Sequence, residues 1–228
     1  TILRHLGKND KALALIDESL NIDKFNYGCH FEKQLLTGNS TDMEAFCCVM
    51  RNESHNYCEL FIDYAQAGCW EEALAVSQLA IEQIQNPEII LYYLKAWCLI
   101  QLGRNEEAAG VIKTAEQKQP GCCFPNQLEA ILALQAAMQL VDHTPKAAYL
   151  LGNLWYDKRQ YAEAIACWEQ SKQLDDTFPT ILRNLSLAYF NKLDKKEEAI
   201  LLLEKAFALD TTDARILMEL DQLYKRLN

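Results

Sequence analysis

The sequence predicts an all-α chain, a solenoid of antiparallel helix hairpins in which one repeat is degraded. Three observations carry that expectation. One pattern is written twice between Lys146 and Asp213, and small alanines recur along the chain at a nearly constant interval. The composition agrees: half of the 228 residues are hydrophobic and only 8 Gly and 5 Pro occur, which favours long helices over strands and turns. Nowhere do Val, Ile and Thr alternate with polar residues as a half-buried strand requires.

The first copy of the pattern reads Ala148-x2-Leu151-Gly152-x2-Trp155 and then Ala164-x3-Trp168; the second reads Leu182-x2-Leu185-Ser186-x2-Tyr189 and then Ala199-x3-Leu203. Small residues are expected where two antiparallel helices come closest, and large ones between neighbouring hairpins. One hairpin cannot bury its apolar face alone, so copies must stack. The pattern resembles the tetratricopeptide (TPR) repeat, a helix–turn–helix unit of about 34 residues. That resemblance implies a right-handed superhelix, and the repeats predict a single domain over residues 1–228 with the degraded repeat at about 121–144.

The alanines that open each second helix serve as a ruler. They are Ala12, Ala45, Ala73, Ala108, Ala130, Ala164 and Ala199, separated by 33, 28, 35, 22, 34 and 35 residues. The first second-helix is predicted over Asp10 to Asn21, with Asn9 or Asp10 able to cap it. A poorly matching hairpin follows, with a helix from Tyr27 to Leu36, a turn at Gly38-Asn39-Ser40-Thr41-Asp42, and a short helix carrying Met43, Phe46, Cys47 and Met50. Two regular hairpins come next. Tyr57, Leu60, Phe61 and Tyr64 lie on one first helix, with Glu71 to Gln83 as its partner; Tyr92, Ala96 and Leu99 lie on the other, with Glu106 to Gln117 following.

The 22-residue gap from Ala108 to Ala130 marks a lost first helix. A single helix is expected there, from about Pro125 to Val141, because proline suits a helix's first turn. An unpaired helix should disturb the array, by a kink or by tucking into the groove. After the doubled pattern, Leu217, Leu220 and Tyr224 predict one more helix, with Lys225, Arg226 and Asn228 as a partial polar cap. The chain opens abruptly at Thr1, which is read as the start of a fragment.

Composition also narrows function. The formal net charge of −10 disfavours phosphate backbones, which are bound mainly through Lys and Arg, and disfavours anionic membrane surfaces. Ile89 to Leu102 is too short, and interrupted by Lys95, to span a bilayer. Nine cysteines without a CxxC give no zinc ribbon or redox motif; most fall at helical core positions as small hydrophobes, consistent with a reduced, cytoplasmic protein. Four histidines (His5, His30, His55, His143) fall in different repeats near helix ends. His55-x2-Cys58 lacks a second pair to complete a metal site, so no metal, cofactor or catalytic set is assigned. The acidic pairs Glu71-Glu72, Glu106-Glu107 and Glu197-Glu198 suit the positive ends of helices.

In TPR hairpins the first helices line a concave groove. Carried onto this register, the resemblance places Ile90, Tyr93, Trp97, Tyr149, Asn153, Tyr156, Arg183, Asn184, Phe190, Arg215 and Met218 there. Two readings stand: a peptide groove with aromatic walls and polar anchors, or aromatics that only pack on neighbouring helices or lie under the unpaired one. Some TPR domains hold a C-terminal carboxylate. Asn153, Asn184 and Arg215 fall at such clamp positions, yet Tyr149 and Glu219 stand where the family has basic residues, and Glu219 would repel a carboxylate.

The phrases His55-Asn56-Tyr57, Asp157-Lys158-Arg159 and Asp221-Gln222-Leu223-Tyr224-Lys225-Arg226-Leu227 also resemble the C-terminal TPR region of large bacterial proteins with a β-rich, carbohydrate-related N-terminal part. The expected function is a non-catalytic scaffold whose groove binds a peptide, a partner protein or another domain of its own polypeptide. The alternatives are an accessory region of a multidomain carbohydrate-related enzyme, and an oligomerisation module acting through the terminal helix.

Overall fold

The computed structural model describes residues 1–121 and 123–227. Cys122 and Asn228, the latter part of the expected polar cap, lie outside the described residues. Every regular element among the described residues is helical, and the helices fall into two compact units, Thr1–Pro87 and Glu88–Asn228.

The first unit contains α1 (Ile2–His5), α2 (Asn9–Ile22), α3 (Tyr27–Thr37), α4 (Ser40–Met50), α5 (Ser54–Gln66) and α6 (Trp70–Gln83). α3 pairs with α4 and α5 with α6. Side chains cap the middle hairpin: Asn26 accepts from the Cys29 N–H at 3.0 Å, and Asn39 from the Asp42 N–H at 2.8 Å. Those bonds satisfy donors that a helix start leaves unpaired. α2, by contrast, has no side-chain cap; Asn9 is already helical and Lys8 precedes it.

The ruler misplaces one residue in this unit. Ala45 is only half-buried, and the next residue, Phe46, is fully enclosed. Phe46 meets Phe31 at 5.1 Å and Tyr57 at 6.0 Å between ring centroids, and Phe31 meets Tyr64 at 5.6 Å. Where the regular hairpins approach through a small residue, this one is spaced by an aromatic cluster, which is why its sequence fits the repeat poorly.

The second unit contains α7 (Ile89–Gln101), α8 (Asn105–Gln117), α9 (Glu129–Leu140), α10 (Pro145–Asp157), α11 (Tyr161–Leu174), α12 (Pro179–Ala188), α13 (Lys196–Leu209) and α14 (Ala214–Leu227). A π-helical turn, Tyr189–Leu193, extends α12. α7 pairs with α8, α10 with α11, and α12 with α13. Close approach is achieved as the sequence predicts. A Cβ placed on Gly152 would fall 2.4 Å from the Trp168 ring. At the matching position of the next hairpin, the buried Ser186 hydroxyl donates to the Ala199 carbonyl at 2.6 Å.

A single helix, α9, stands between α8 and α10, in place of a hairpin. It begins at Glu129, four residues after Pro125, so the expected proline start is not used. Pro125 is instead buried in a stretch without regular structure, and a residue ahead of proline is itself pushed out of the helical region. Ala130, Ala133, Leu134 and Ala137 form the buried stripe of α9, which packs against α7 and α10 far more than against α8. α7 is therefore enclosed on two sides, and ten of its thirteen residues are buried.

Glu116, near the end of α8, ties this irregular region together. Its carboxylate accepts the Lys146 N–H at 2.9 Å, the Ala147 N–H at 3.1 Å and the Tyr93 hydroxyl at 2.6 Å. Thr144, at the head of α10, makes no side-chain cap. A glutamate from another helix thus does the capping, where a negative charge also suits the positive helix end.

Candidate functional site

The site is built on three helices of the second unit. Asn153 and Tyr156 lie one turn apart on α10, Trp168 comes from α11, and Arg183, Asn184 and Leu187 come from α12; with Phe124, from the stretch before α9, they line a cavity of about 220 Å³. The Gly152–Trp168 approach sets the depth of this region, because the indole lies across α10 where no Cβ intervenes.

Hydrogen bonds fix the polar groups in series. Trp168 Nε1 donates to the Tyr149 carbonyl and to Asn153 Oδ1, both at 3.2 Å, and Asn184 Nδ2 donates to the same Asn153 oxygen at 3.2 Å. The Tyr149 hydroxyl is hydrogen-bonded to the Asn153 side chain. The Asn153 oxygen thus accepts two hydrogen bonds, and Asn184, which gives one of them, also lines the cavity. The Tyr156 ring lies tilted at 5.3 Å from Trp168 and edge-on at 5.0 Å from Tyr161.

Arg183 brings a cation to the rim, but the cation is engaged. Its Nε donates to Glu219 Oε2 at 2.8 Å, and its Nη2 pairs with the other carboxylate oxygen. Glu219, the residue expected to repel a carboxylate, is thus the partner that occupies Arg183. Arg215 is exposed and folds back on Asp213 at 2.7 Å and 3.0 Å; that pairing holds the Asp213 carboxyl down at about 2.

Four of the eleven residues expected to line the groove, Asn153, Tyr156, Arg183 and Asn184, therefore meet around one cavity, and the other seven do not line it. Tyr93 is fully buried, with its hydroxyl on Glu116; burial first, and that carboxylate second, raise its pKa well above the ordinary range. Trp97 is 8% exposed and Tyr149 7%, the latter packed edge-on against Phe178 at 4.9 Å. Arg215 does not line this cavity, and its guanidinium is engaged by Asp213. Phe124 and Leu187 were not singled out by the register, and Trp168 was expected between neighbouring hairpins rather than at the groove. Leu187 and Trp168 carried a signal, being apolar neighbours of the predicted positions; Phe124 sat in a stretch without helical periodicity.

The first unit holds a larger concavity of about 700 Å³, walled by Ile16, Cys29, Glu32, Leu60 and Tyr64 among others. Its charges are spent on one another. Glu32 accepts from Arg4 at 2.9 Å and from the Tyr64 hydroxyl at 2.7 Å, while Glu72 accepts from Arg4 at 2.6 Å and meets His5 at 2.5 Å. Burial pushes the Glu32 carboxyl up, but hydrogen bonds from Arg4, Thr1 and Tyr64 outweigh it and hold the group at about 2. That network fastens α1 to α3 and α6.

Among the described residues, no helix is long and apolar enough to cross a membrane, and no group of three or more His, Cys, Asp or Glu could hold a metal ion.

Two family models describing the tetratricopeptide repeat match the chain, one over residues 145–178 and another over residues 89–115. Solved structures that resemble it include YrrB, described as a TPR protein with an unusual peptide-binding site, at 14% identity over 91% of this chain and 97% of that one, with a TM-score of 0.40. TTC0263 of Thermus thermophilus, a thermophilic TPR protein, matches at 18% identity over 75% and 99%, with a TM-score of 0.39. MamA matches at 19% identity over 81% and 96%, also at 0.39. At TM-scores this low, nothing in the geometry of those proteins is carried over to this chain.

Proposed function

We propose that this chain, which matches the tetratricopeptide repeat over residues 89–115 and 145–178, is a non-catalytic interaction scaffold that holds an extended peptide or partner segment at the cavity between α10, α11 and α12. The observation that carries this reading is the convergence of Asn153, Tyr156, Arg183 and Asn184 on one cavity beside the Trp168 ring. Such a wall gives an extended backbone an amide to bond and an apolar side chain a place to stack. The net charge of −10 favours a protein partner over nucleic acid.

The test is selection of peptides on the whole chain by display, followed by titration of the selected peptides into the Asn184→Ala and Tyr156→Ala variants. Tenfold or greater weakening in both is the expected result. Peptides that bind both variants as tightly as the parent chain would place the binding face elsewhere.

A further inference from the structure

The stretch between α8 and α9 does more than connect. Its burial alternates: Cys123 is buried, Phe124 is 55% exposed, Pro125 is buried and Asn126 is exposed. That period of two is the signature of an extended backbone pressed against a surface. The surface is the one the repeat register assigns to a ligand. The Cys123 thiol is hydrogen-bonded at the Ile90 N–H and the Glu88 carboxyl, at the start of α7, and lies near the Tyr93 and Tyr149 hydroxyls, on α7 and α10. Burial pushes the thiol up to about 12, so it is a neutral, small apolar anchor there. The next residue, Phe124, forms a wall of the cavity shared with Asn153, Tyr156, Arg183 and Asn184.

We propose that residues 123–126 are a built-in occupant of the groove, a peptide held in cis where a hairpin was lost, and that the outside partner displacing it is an extended peptide of the same kind: small apolar, aromatic, proline. This rests on the groove reading above and adds the regulation and ligand chemistry of that site. How the segment is held supports displacement. Among the described residues, its backbone from Phe124 to Asn126 makes no backbone–backbone hydrogen bond. The Cys123 N–H donates to the Pro120 carbonyl at 3.1 Å, a bond within the connecting stretch itself, so leaving the groove breaks no ladder. Covalent attachment supplies the occupancy instead, since a tethered segment competes at an effective concentration on the order of millimolar. An outside peptide must overcome that advantage, and its apparent affinity falls by the fraction of groove left open.

The probe is a fluorescent synthetic peptide of residues 119–128, with Ser in place of Cys122 to prevent dimerisation. It is titrated by anisotropy into the whole chain, the Phe124→Ala variant, and a triple variant, Cys123→Ser with Phe124→Ser and Pro125→Gly. The triple variant is expected to bind at least tenfold more tightly than the parent, and Phe124→Ala to fall between them. Equal binding by all three, or binding by none while circular dichroism and melting are retained, overturns the proposal. Should the triple variant fail to fold, Phe124→Ala decides alone: its side chain is exposed, so the fold survives, and affinity no better than the parent's refutes the occupant. A display-selected peptide separates the two readings. If Asn184→Ala weakens it but the triple variant binds it no better than the parent, the groove stands and the occupant falls. If the loop peptide binds in trans but display selects nothing, the occupant stands and the outside partner falls.

Discussion

Gly152→Ala adds one methyl group where the structure leaves no room for it. The new Cβ would stand 2.4 Å from Trp168 Cδ1 and 2.5 Å from its Nε1. On an open helix the same change stabilises by about 0.5–1 kcal/mol, because glycine loses the most backbone freedom on folding. Here the indole must move, and it has nowhere to go. Trp168 is 3% exposed, and its N–H serves both the Tyr149 carbonyl and Asn153. Overpacking of a core costs roughly 1–3 kcal/mol, and each hydrogen bond lost from a buried group about 1 kcal/mol more. Subtracting the propensity gain leaves a net destabilisation of about 1–4 kcal/mol. Urea unfolding followed by circular dichroism and tryptophan fluorescence reads the change as a lower midpoint at unchanged slope. A variant as stable as the parent would refute the close-packing argument, and with it the account of how α10 and α11 are spaced.

Gly110→Ala, on the exposed face of α8 with nothing within 4 Å of the added carbon, is the control and should stabilise by about 0.5–1 kcal/mol in the same assay. Glu116→Ala should cost roughly 2–4 kcal/mol, because it uncaps α10 and leaves the buried Tyr93 hydroxyl unpaired; a double-mutant cycle with Tyr93→Phe should recover part of that loss as coupling. Glu32 sits at about 2 in the folded first unit against its ordinary 4.5. Its ionised form therefore favours folding above pH 4.5, and that contribution is lost as the pH falls from 4.5 toward 2. Glu72 is lowered as well and adds to the same loss. Acid titration of Glu32→Gln should show a shallower fall in stability across that window than the parent.

The hairpin architecture was legible because close helix approach demands particular residues. Ala73, Ala108, Ala164 and Ala199 are fully buried where the ruler placed them, and Gly152 is small for the reason the repeat pattern implies. Phe46 was not legible: a repeat spaced by aromatic packing meets the same geometric need with different residues, and only the ring contacts show it. Pro125 misled because proline fits both a helix's first turn and an extended anchor, and local sequence does not decide between them. The site was legible in part. Asn153, Tyr156, Arg183 and Asn184 follow from register alone. Tyr93, Trp97 and Tyr149 share that register but are buried, since α9 packs on α7 and α10, and residues 123–126 lie against both. The Arg183–Glu219 pair could not be read either, because it joins residues on different helices, 36 positions apart.

The position of α9 changes how the second unit must come apart. In an ordinary repeat stack each hairpin leans only on its neighbours, so fraying can stop at any boundary. Here α7 is clasped by α8 and α9, α9 also leans on α10, and Glu116 fastens the end of α8 to the head of α10. Loss of the hairpin has welded two repeats into one cooperative block. Amide exchange should find α7 through α11 opening together, with the α7 amides the last to trade their protons.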